Sequence, residues 1–200
     1  MRIGIFGGSF DPPHVGHLAV AQDALEGLEL DLLYFVPARV SPFKLGVAGT
    51  DPQVRAALVE LALEGHPRMR VWKGELIRPA PSYTVETLNE IAELHAGAEL
   101  FLLMGSDQWA SFPDWREPER IVELATVCVM GRTVGAIQDH DRFGARSIQT
   151  RRIDISSTEV RERVAARRSI RFLVPESVRR EIEEHQLYRE SEGQPASTVI

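Results

Sequence analysis

The segment Gly7-Gly8-Ser9-Phe10-Asp11-Pro12-Pro13-His14-Val15-Gly16-His17-Leu18 follows directly on the apolar run Ile3-Gly4-Ile5-Phe6. A buried strand must therefore give way within a few residues to a glycine-rich turn and then to a helix. In α/β proteins such a strand-to-helix turn is where phosphates are held. Gly7 and Gly8 let the main chain approach an anion, Gly16 relieves crowding where the helix begins, and the first helical N–H groups point back at the same spot. His14 and His17 are three apart, so both rings reach one bound group. A fragment of a metal site would need Cys or further His ligands at metal spacing, and none is nearby. An ordinary Gly/Pro turn accounts for the glycines and prolines but not for Ser9 and both histidines together. The segment has neither the spacing of G-x-G-x-x-G nor the Gly-Lys-Ser/Thr of a P-loop.

The rest of the chain alternates. Strand-like runs fall at 2–6, 31–36, 69–73, 99–104, 126–130 and 152–155, and helical patterns at about 16–27, 52–64, 84–95, 117–125, 157–167 and 176–187. This is the pattern of an α/β protein with a doubly wound parallel sheet. Pro52, Pro118 and Pro175 stand where first-turn prolines belong, and Ser156 or Ser157 is placed to cap the helix after it. The reading is one domain over 1–189, with 190–200 as a flexible tail. Ligands of such sheets sit beyond the carboxyl ends of the strands at the topological switch point. If the strands at 2–6 and 99–104 flank it, Gly7-Gly8-Ser9 and Gly105-Ser106-Asp107 share one crevice.

With 200 residues, 44% hydrophobic and 7% aromatic, the composition is that of a soluble globular protein. No run approaches the ~20 apolar residues of a membrane span, and the chain opens on a strand rather than a signal peptide. A cytoplasmic protein that binds no membrane is expected. Cys128 lies in Thr-Val-Cys-Val-Met and reads as a small core residue. A formal charge of −6 argues against a general nucleic-acid surface. Arg161, Arg163, Arg167, Arg168 and Arg171 are interleaved with Glu159 and Glu162 as on a solvated helix face, with Arg161 set apart by the motif it closes.

The first motif, His14-Val15-Gly16-His17 within its Gly-Ser-Phe-Asp-Pro-Pro context, resembles the T/H-x-G-H signature of the nucleotidylyltransferase superfamily, whose fold is Rossmann-like and whose signature binds the triphosphate of ATP. Ile155-Ser-Ser-Thr-Glu-Val-Arg161 resembles its Ser-x-Thr-x-x-Arg element. Val36-Pro-Ala-Arg-Val-Ser-Pro-Phe-Lys44 resembles the loop that brings a lysine over the phosphates, with Phe43 where a histidine is usual. Ser82-Tyr-Thr-Val-Glu-Thr-Leu88, Gly105-Ser-Asp-x-x-x-x-Phe-Pro-x-Trp115 and Leu173-Val-Pro through Ile182-x-x-His-x-Leu-Tyr188 resemble the bacterial-type nicotinate-nucleotide adenylyltransferases. The resemblance covers nearly the whole chain in order.

It implies transfer of the adenylyl group of ATP to nicotinate mononucleotide, giving deamido-NAD and pyrophosphate, with Mg²⁺ held mainly by the ATP phosphates and no protein-borne metal site. His17, His14, Lys44 and Arg161 are the implied catalytic set. Gly8, Ser9, Phe10, His14, His17, Gly105, Asp107, Ile155, Ser156, Ser157, Thr158 and Arg161 are implied to bind ATP. Lys44, Ser82, Tyr83, Thr84, Trp115, Arg116 and Arg132 are implied to bind the mononucleotide, with Trp115 stacked on the pyridine and Thr84 and the Arg116 N–H at its carboxylate. Arg132 matches an Arg-Pro-Gly arginine, although Thr133 replaces the proline. A homo-oligomer stays open. So do two other functions, a pantetheine-phosphate adenylyltransferase and a non-catalytic nucleotide sensor. The former leaves the Ser-Tyr-Thr and Phe-Pro-x-Trp segments unexplained.

Overall fold

The computed structural model describes residues 1–40, 42, 49–131 and 141–189. Lys44, Arg132 and the expected tail at 190–200 lie outside the described residues. In chain order the elements are β1 (Arg2–Gly8), α1 (Val15–Gly27), β2 (Leu32–Pro37), α2 (Pro52–Ala62), β3 (Met69–Val71), α3 (Gly74–Ile77), α4 (Thr84–Leu94), β4 (Glu99–Gly105), α5 (Ser106–Ala110), α6 (Pro118–Leu124), β5 (Thr126–Gly131), β6 (Arg146–Gln149), α7 (Ser157–Ala165) and α8 (Glu176–Glu184).

The six strands form one parallel sheet in the order β3-β2-β1-β4-β5-β6. Ile5 pairs with Tyr34 on one side and Leu102 on the other. Successive side chains point to opposite faces, so each strand feeds two cores. Ile3, Ile5, Leu32, Leu100, Leu102 and Val127 pack under Val85, Leu88 and Ile91 of α4 and Ile121 of α6. Phe6, Leu33, Phe35, Phe101, Leu103 and Cys128 pack under Ala21, Ala24 and Leu25 of α1 and Val59 of α2. That double burial explains why the strands read as unbroken apolar runs. A third cluster ties Leu58 of α2 to Val160 of α7 and to Val178 and Ile182 of α8.

Local signals place the helix starts. Asp51 accepts from the Gln53 N–H at 2.7 Å, with Pro52 at the first helical position. Ser156 accepts from the Glu159 N–H at 3.1 Å and caps α7. Pro175 is itself the cap residue of α8, which opens at Glu176.

The expected strand at 152–155 is not one. The sixth strand is Arg146–Gln149, a polar strand that among the described residues pairs only with β5, at the edge of the sheet, so no apolar run marks it. Residues 151–156 instead form an irregular strap, anchored where Asp23 on α1 accepts from the Arg151 N–H at 2.7 Å and from its guanidinium. The segment Ile155-Ser-Ser-Thr therefore enters its helix from this strap. The short helices α3 and α5 carry too few turns to show a period. Among the described residues no helix is long and apolar enough to cross a membrane.

Candidate active site

Strand order reverses between β1 and β4, and a cleft of about 790 Å³ opens beyond the carboxyl ends of β1, β2 and β4. That volume is in the range of small-molecule sites. Its floor is Ile5, Val36, Leu102 and Leu103. One wall is the end of β1, Gly7, Gly8 and Ser9. Ser82, Tyr83 and Thr84 bring the start of α4 to it, Asp107 stands on α5, and Trp115 and Arg116 close the opposite side. Eight residues expected at the substrates thus line one cavity: Gly8, Ser9, Ser82, Tyr83, Thr84, Asp107, Trp115 and Arg116. Gly105 ends β4 next to them, its N–H donating to Gln108 Oε1 at 3.2 Å.

Phe10 stands apart from that group. Its ring is 2% exposed and packs against Phe6, Phe35 and His17 at centroid distances of 5.6, 5.4 and 5.0 Å. A side chain at Gly8 would collide with it, since a Cβ there falls 2.9 Å from the ring. Gly8 is therefore required by the core beneath it as much as by an anion above.

A second group gathers around residues 11–14. The rings of His14 and His17 stack at 3.7 Å. The His14 N–H donates to His17 Nδ1 at 3.2 Å, which leaves the ring proton of neutral His17 on Nε2, free to serve a ligand. Burial lowers the His14 pKa to about 4. Burial and then the neighbouring His14 lower that of His17 to about 3. Both rings are consequently neutral donors at pH 7, not cations. His14 Nδ1 is buried and has no hydrogen-bond partner among the described residues. A Cβ at Gly16 would fall 2.9 Å from that atom, so only glycine fits beside the His14 ring.

The start of α7 is bonded directly to this loop. Ser157 Oγ donates to the Pro12 carbonyl at 2.8 Å, and Arg161 donates to the Asp11 carbonyl at 2.7 Å and to Thr158 Oγ1 at 3.2 Å. Two helix starts, α1 and α7, are thereby held side by side, with Ser156 as the cap of the second and Ile155 entering it from the strap. Not every N–H of α1 is offered to a ligand. That of Val15 donates to the Leu173 carbonyl at 2.9 Å, and that of His17 donates to the His14 carbonyl at 3.0 Å.

On the opposite side, Tyr83 precedes α4 and lies under the Arg116 guanidinium at 4.5 Å. Arg116 also pairs with Glu86 at 3.1 Å. Trp115 is half-buried, leans on Phe112 at 5.5 Å, and donates from Nε1 to Ser111 Oγ at 3.4 Å. Trp109 and Phe112, which belong to the core reading of this segment, are buried and stacked at 5.2 Å.

A family model described as cytidylyltransferase-like matches residues 5–163. The chain belongs to the cytidylyltransferase-like family. Within it, a Thermus thermophilus protein named as a probable nicotinate-nucleotide adenylyltransferase is 42% identical over 189 residues, covering 94% of this chain and 100% of that protein. One of the same name from Geobacillus thermodenitrificans is 37% identical over 187 residues, covering 94% of this chain and 86% of that protein. A solved structure, the Plasmodium falciparum nicotinic acid mononucleotide adenylyltransferase complexed with NaAD, superposes with a TM-score of 0.72 at 20% identity, over 94% of this chain and 97% of that one. That likeness is one of fold.

Two polar residues near the site of this cytidylyltransferase-like chain, Glu75 and Arg55, escaped the sequence reading, and a third, Tyr188, was read there only as the end of a family-like segment. Glu75 on α3 lines the cleft at 7% exposure, accepts from Thr87 Oγ1 at 2.7 Å, and lies 3.9 Å from Arg78. Burial raises its pKa. Four-residue α3 gives no periodicity from which to read it. Tyr188, beyond α8, donates its hydroxyl to Asp11 Oδ1 at 2.8 Å, a contact 177 residues apart in sequence. Arg55 on α2 is buried. Its signal was available, because an arginine four residues before Val59 sits on the inward stripe of that helix.

Proposed function

We propose that this chain transfers the adenylyl group of ATP to nicotinate mononucleotide, yielding deamido-NAD and pyrophosphate. The observation that carries this reading is one cleft at the switch point that joins the Gly7–Ser9 turn to the Ser82–Thr84 helix start and to Trp115. The first is suited to phosphate, and the second and third to a flat anionic ring. The names of the relatives at 37% to 42% identity agree with it.

A phosphate oxygen of the mononucleotide attacks the α-phosphorus of ATP, forming the new P–O bond as the bond to pyrophosphate breaks. No side chain need become a nucleophile. Cys128 is unsuited to be one, since it is buried in β5 and burial pushes its thiol up to about 11. The protein's part is to align two bound substrates and to meet the charge that builds on the phosphates. In this reading neutral His17, through Nε2–H, and His14 donate to the triphosphate, aided by Gly8, Ser9, the main chain at Phe10, and the α7 start from Ile155 through Thr158. Lys44 and Arg161 add positive charge, Gly105 and Asp107 hold ribose, and Arg132 and Ser82 belong to the mononucleotide side.

The pyridine stacks on Trp115, and its carboxylate accepts from Thr84 and the Arg116 N–H beside Tyr83. Among the described residues no three His, Cys, Asp or Glu side chains converge on one point. Mg²⁺ is assigned to the ATP phosphates, where it neutralises charge. The reaction is placed in the cytoplasm.

The deciding experiment incubates the purified protein with ATP and, separately, nicotinate mononucleotide, nicotinamide mononucleotide and phosphopantetheine, and follows pyrophosphate and product. Pyrophosphate release that depends on nicotinate mononucleotide, with deamido-NAD formed in equal amount, is expected. Turnover with phosphopantetheine instead, or nucleotide binding without turnover, would overturn the assignment.

A further inference from the structure

Arg55 is 5% exposed, and its guanidinium donates to four main-chain carbonyls. Nε donates to Thr50 at 3.1 Å, Nη1 to Ser9 at 2.6 Å, and Nη2 to Ala38 at 2.6 Å and Arg39 at 3.1 Å. Among the described residues no carboxylate lies within ion-pair distance of it. A guanidinium removed from water without an ion pair is tolerated only when fixed acceptors meet its planar fork. Here those acceptors belong to separate segments of chain. Ser9 follows β1 and Ala38 follows β2, and both line the cleft.

The linkage continues across the cavity. The Arg39 N–H donates to Ser82 Oγ at 3.0 Å, and the Ser82 N–H donates to the Val40 carbonyl at 2.9 Å. A path of hydrogen bonds therefore runs from Ser9, through Arg55 and Arg39, to the α4 start at Ser82–Thr84. It joins the half of the cleft assigned to phosphate to the half assigned to the pyridine ring.

We propose that Arg55 is a positioning residue that sets the spacing between the two substrate sites. The proposal rests on the two-substrate reading above. A residue with this task acts on the alignment of attacking oxygen and α-phosphorus, and so on kcat, more than on the capture of either substrate. Lysine at this place keeps the charge, but its single nitrogen cannot reach four divergent carbonyls.

The test compares Arg55→Lys and Arg55→Met with the wild type by steady-state kinetics in each substrate and by urea unfolding. For folded Arg55→Lys, kcat is expected to fall about tenfold or more while KM for each substrate stays within about threefold. A kcat within twofold of wild type, a rise in KM alone, or a loss that only tracks the unfolded fraction would overturn the proposal. If neither variant folds, deuterium exchange on the wild type decides. A non-hydrolysable ATP analogue alone should then slow exchange at 38–40 and 82–84 together with 8–14, and protection confined to 8–14 would refute the linkage. Wild-type protein lacking turnover with nicotinate mononucleotide would sink the functional reading instead, and the exchange experiment would still judge Arg55.

Discussion

Acidification from pH 7 to pH 5 should destabilise this protein by about 4 kcal/mol through His14 and His17 alone. In the unfolded chain each imidazole titrates near its ordinary value of 6.5, whereas burial holds them at about 4 and about 3 in the fold. Between those values the unfolded state binds protons that the folded state refuses. Stability therefore falls as pH drops, beginning near 6.5 and continuing toward the folded values. Each pH unit costs about 1.4 kcal/mol per histidine, so at pH 5 each has removed about 2 kcal/mol. Against a total of roughly 5–15 kcal/mol for a domain, that is a large part. Asp23, whose pKa is lowered by Arg151, loses its contribution only at more acidic pH. Glu75 works in the opposite sense, because its raised pKa lets the folded state take up a proton first. The assay is urea unfolding at pH 7, 6 and 5, in wild type and in a double variant with His14→Asn and His17→Asn. The wild type should lose about 4 kcal/mol more than the double variant over this range, whatever their difference at pH 7. Equal losses in the two proteins would show that these rings are not buried neutral, and with that the assignment of His17 as a neutral Nε2–H donor would fail.

Other outcomes follow from the same geometry. His17→Ala should remain folded and lose about 3 kcal/mol of transition-state stabilisation, a fall in kcat of more than a hundredfold. Near-normal turnover by a folded variant would remove His17 from the phosphates. Trp115→Ala should raise KM for nicotinate and nicotinamide mononucleotides alike by about threefold to tenfold, through lost stacking. The wild type should favour the acid by at least about tenfold in kcat/KM, because Thr84 and the Arg116 N–H are donors that an amide NH₂ leaves unpaired. Equal efficiency would mean that the pocket does not read the carboxylate. Tyr188→Phe removes one half-buried hydrogen bond to Asp11 and should cost about 1 kcal/mol in calorimetry. Kinetics should show kcat little changed, since Arg161 and Ser157 hold the same loop through its main chain.

The elements that the sequence made legible are those whose stability is local or doubly buried. Ile3–Phe6 and Leu100–Met104 face cores on both sides, so their composition alone identifies strands. Asp51-Pro52 and Ser156 announce helices because caps act within three residues. The sixth strand failed the same reading because an edge strand needs no apolar run, and the Ile153-Asp-Ile155 alternation that stood in for it belongs to a strap held by Arg151 and Asp23. The site divides in the same way. Ser9, Thr84, Asp107 and Trp115 belong to short contiguous motifs, and the sheet topology brings their motifs to one cleft.

Arg55 reaches acceptors from 5 to 46 residues away in sequence, and Tyr188 a partner 177 residues away, so no short window of sequence contains the Ser9 or the Asp11 contact. What made Arg55 detectable was a misfit rather than a motif, a charged residue on the stripe of α2 that also buries Ala56, Leu58 and Val59. A helix of this length buries a guanidinium only if the rest of the chain supplies acceptors. Its presence on that stripe therefore implies that loops from other strands come to meet it, and the carbonyls of Ser9 and Ala38 are those loops.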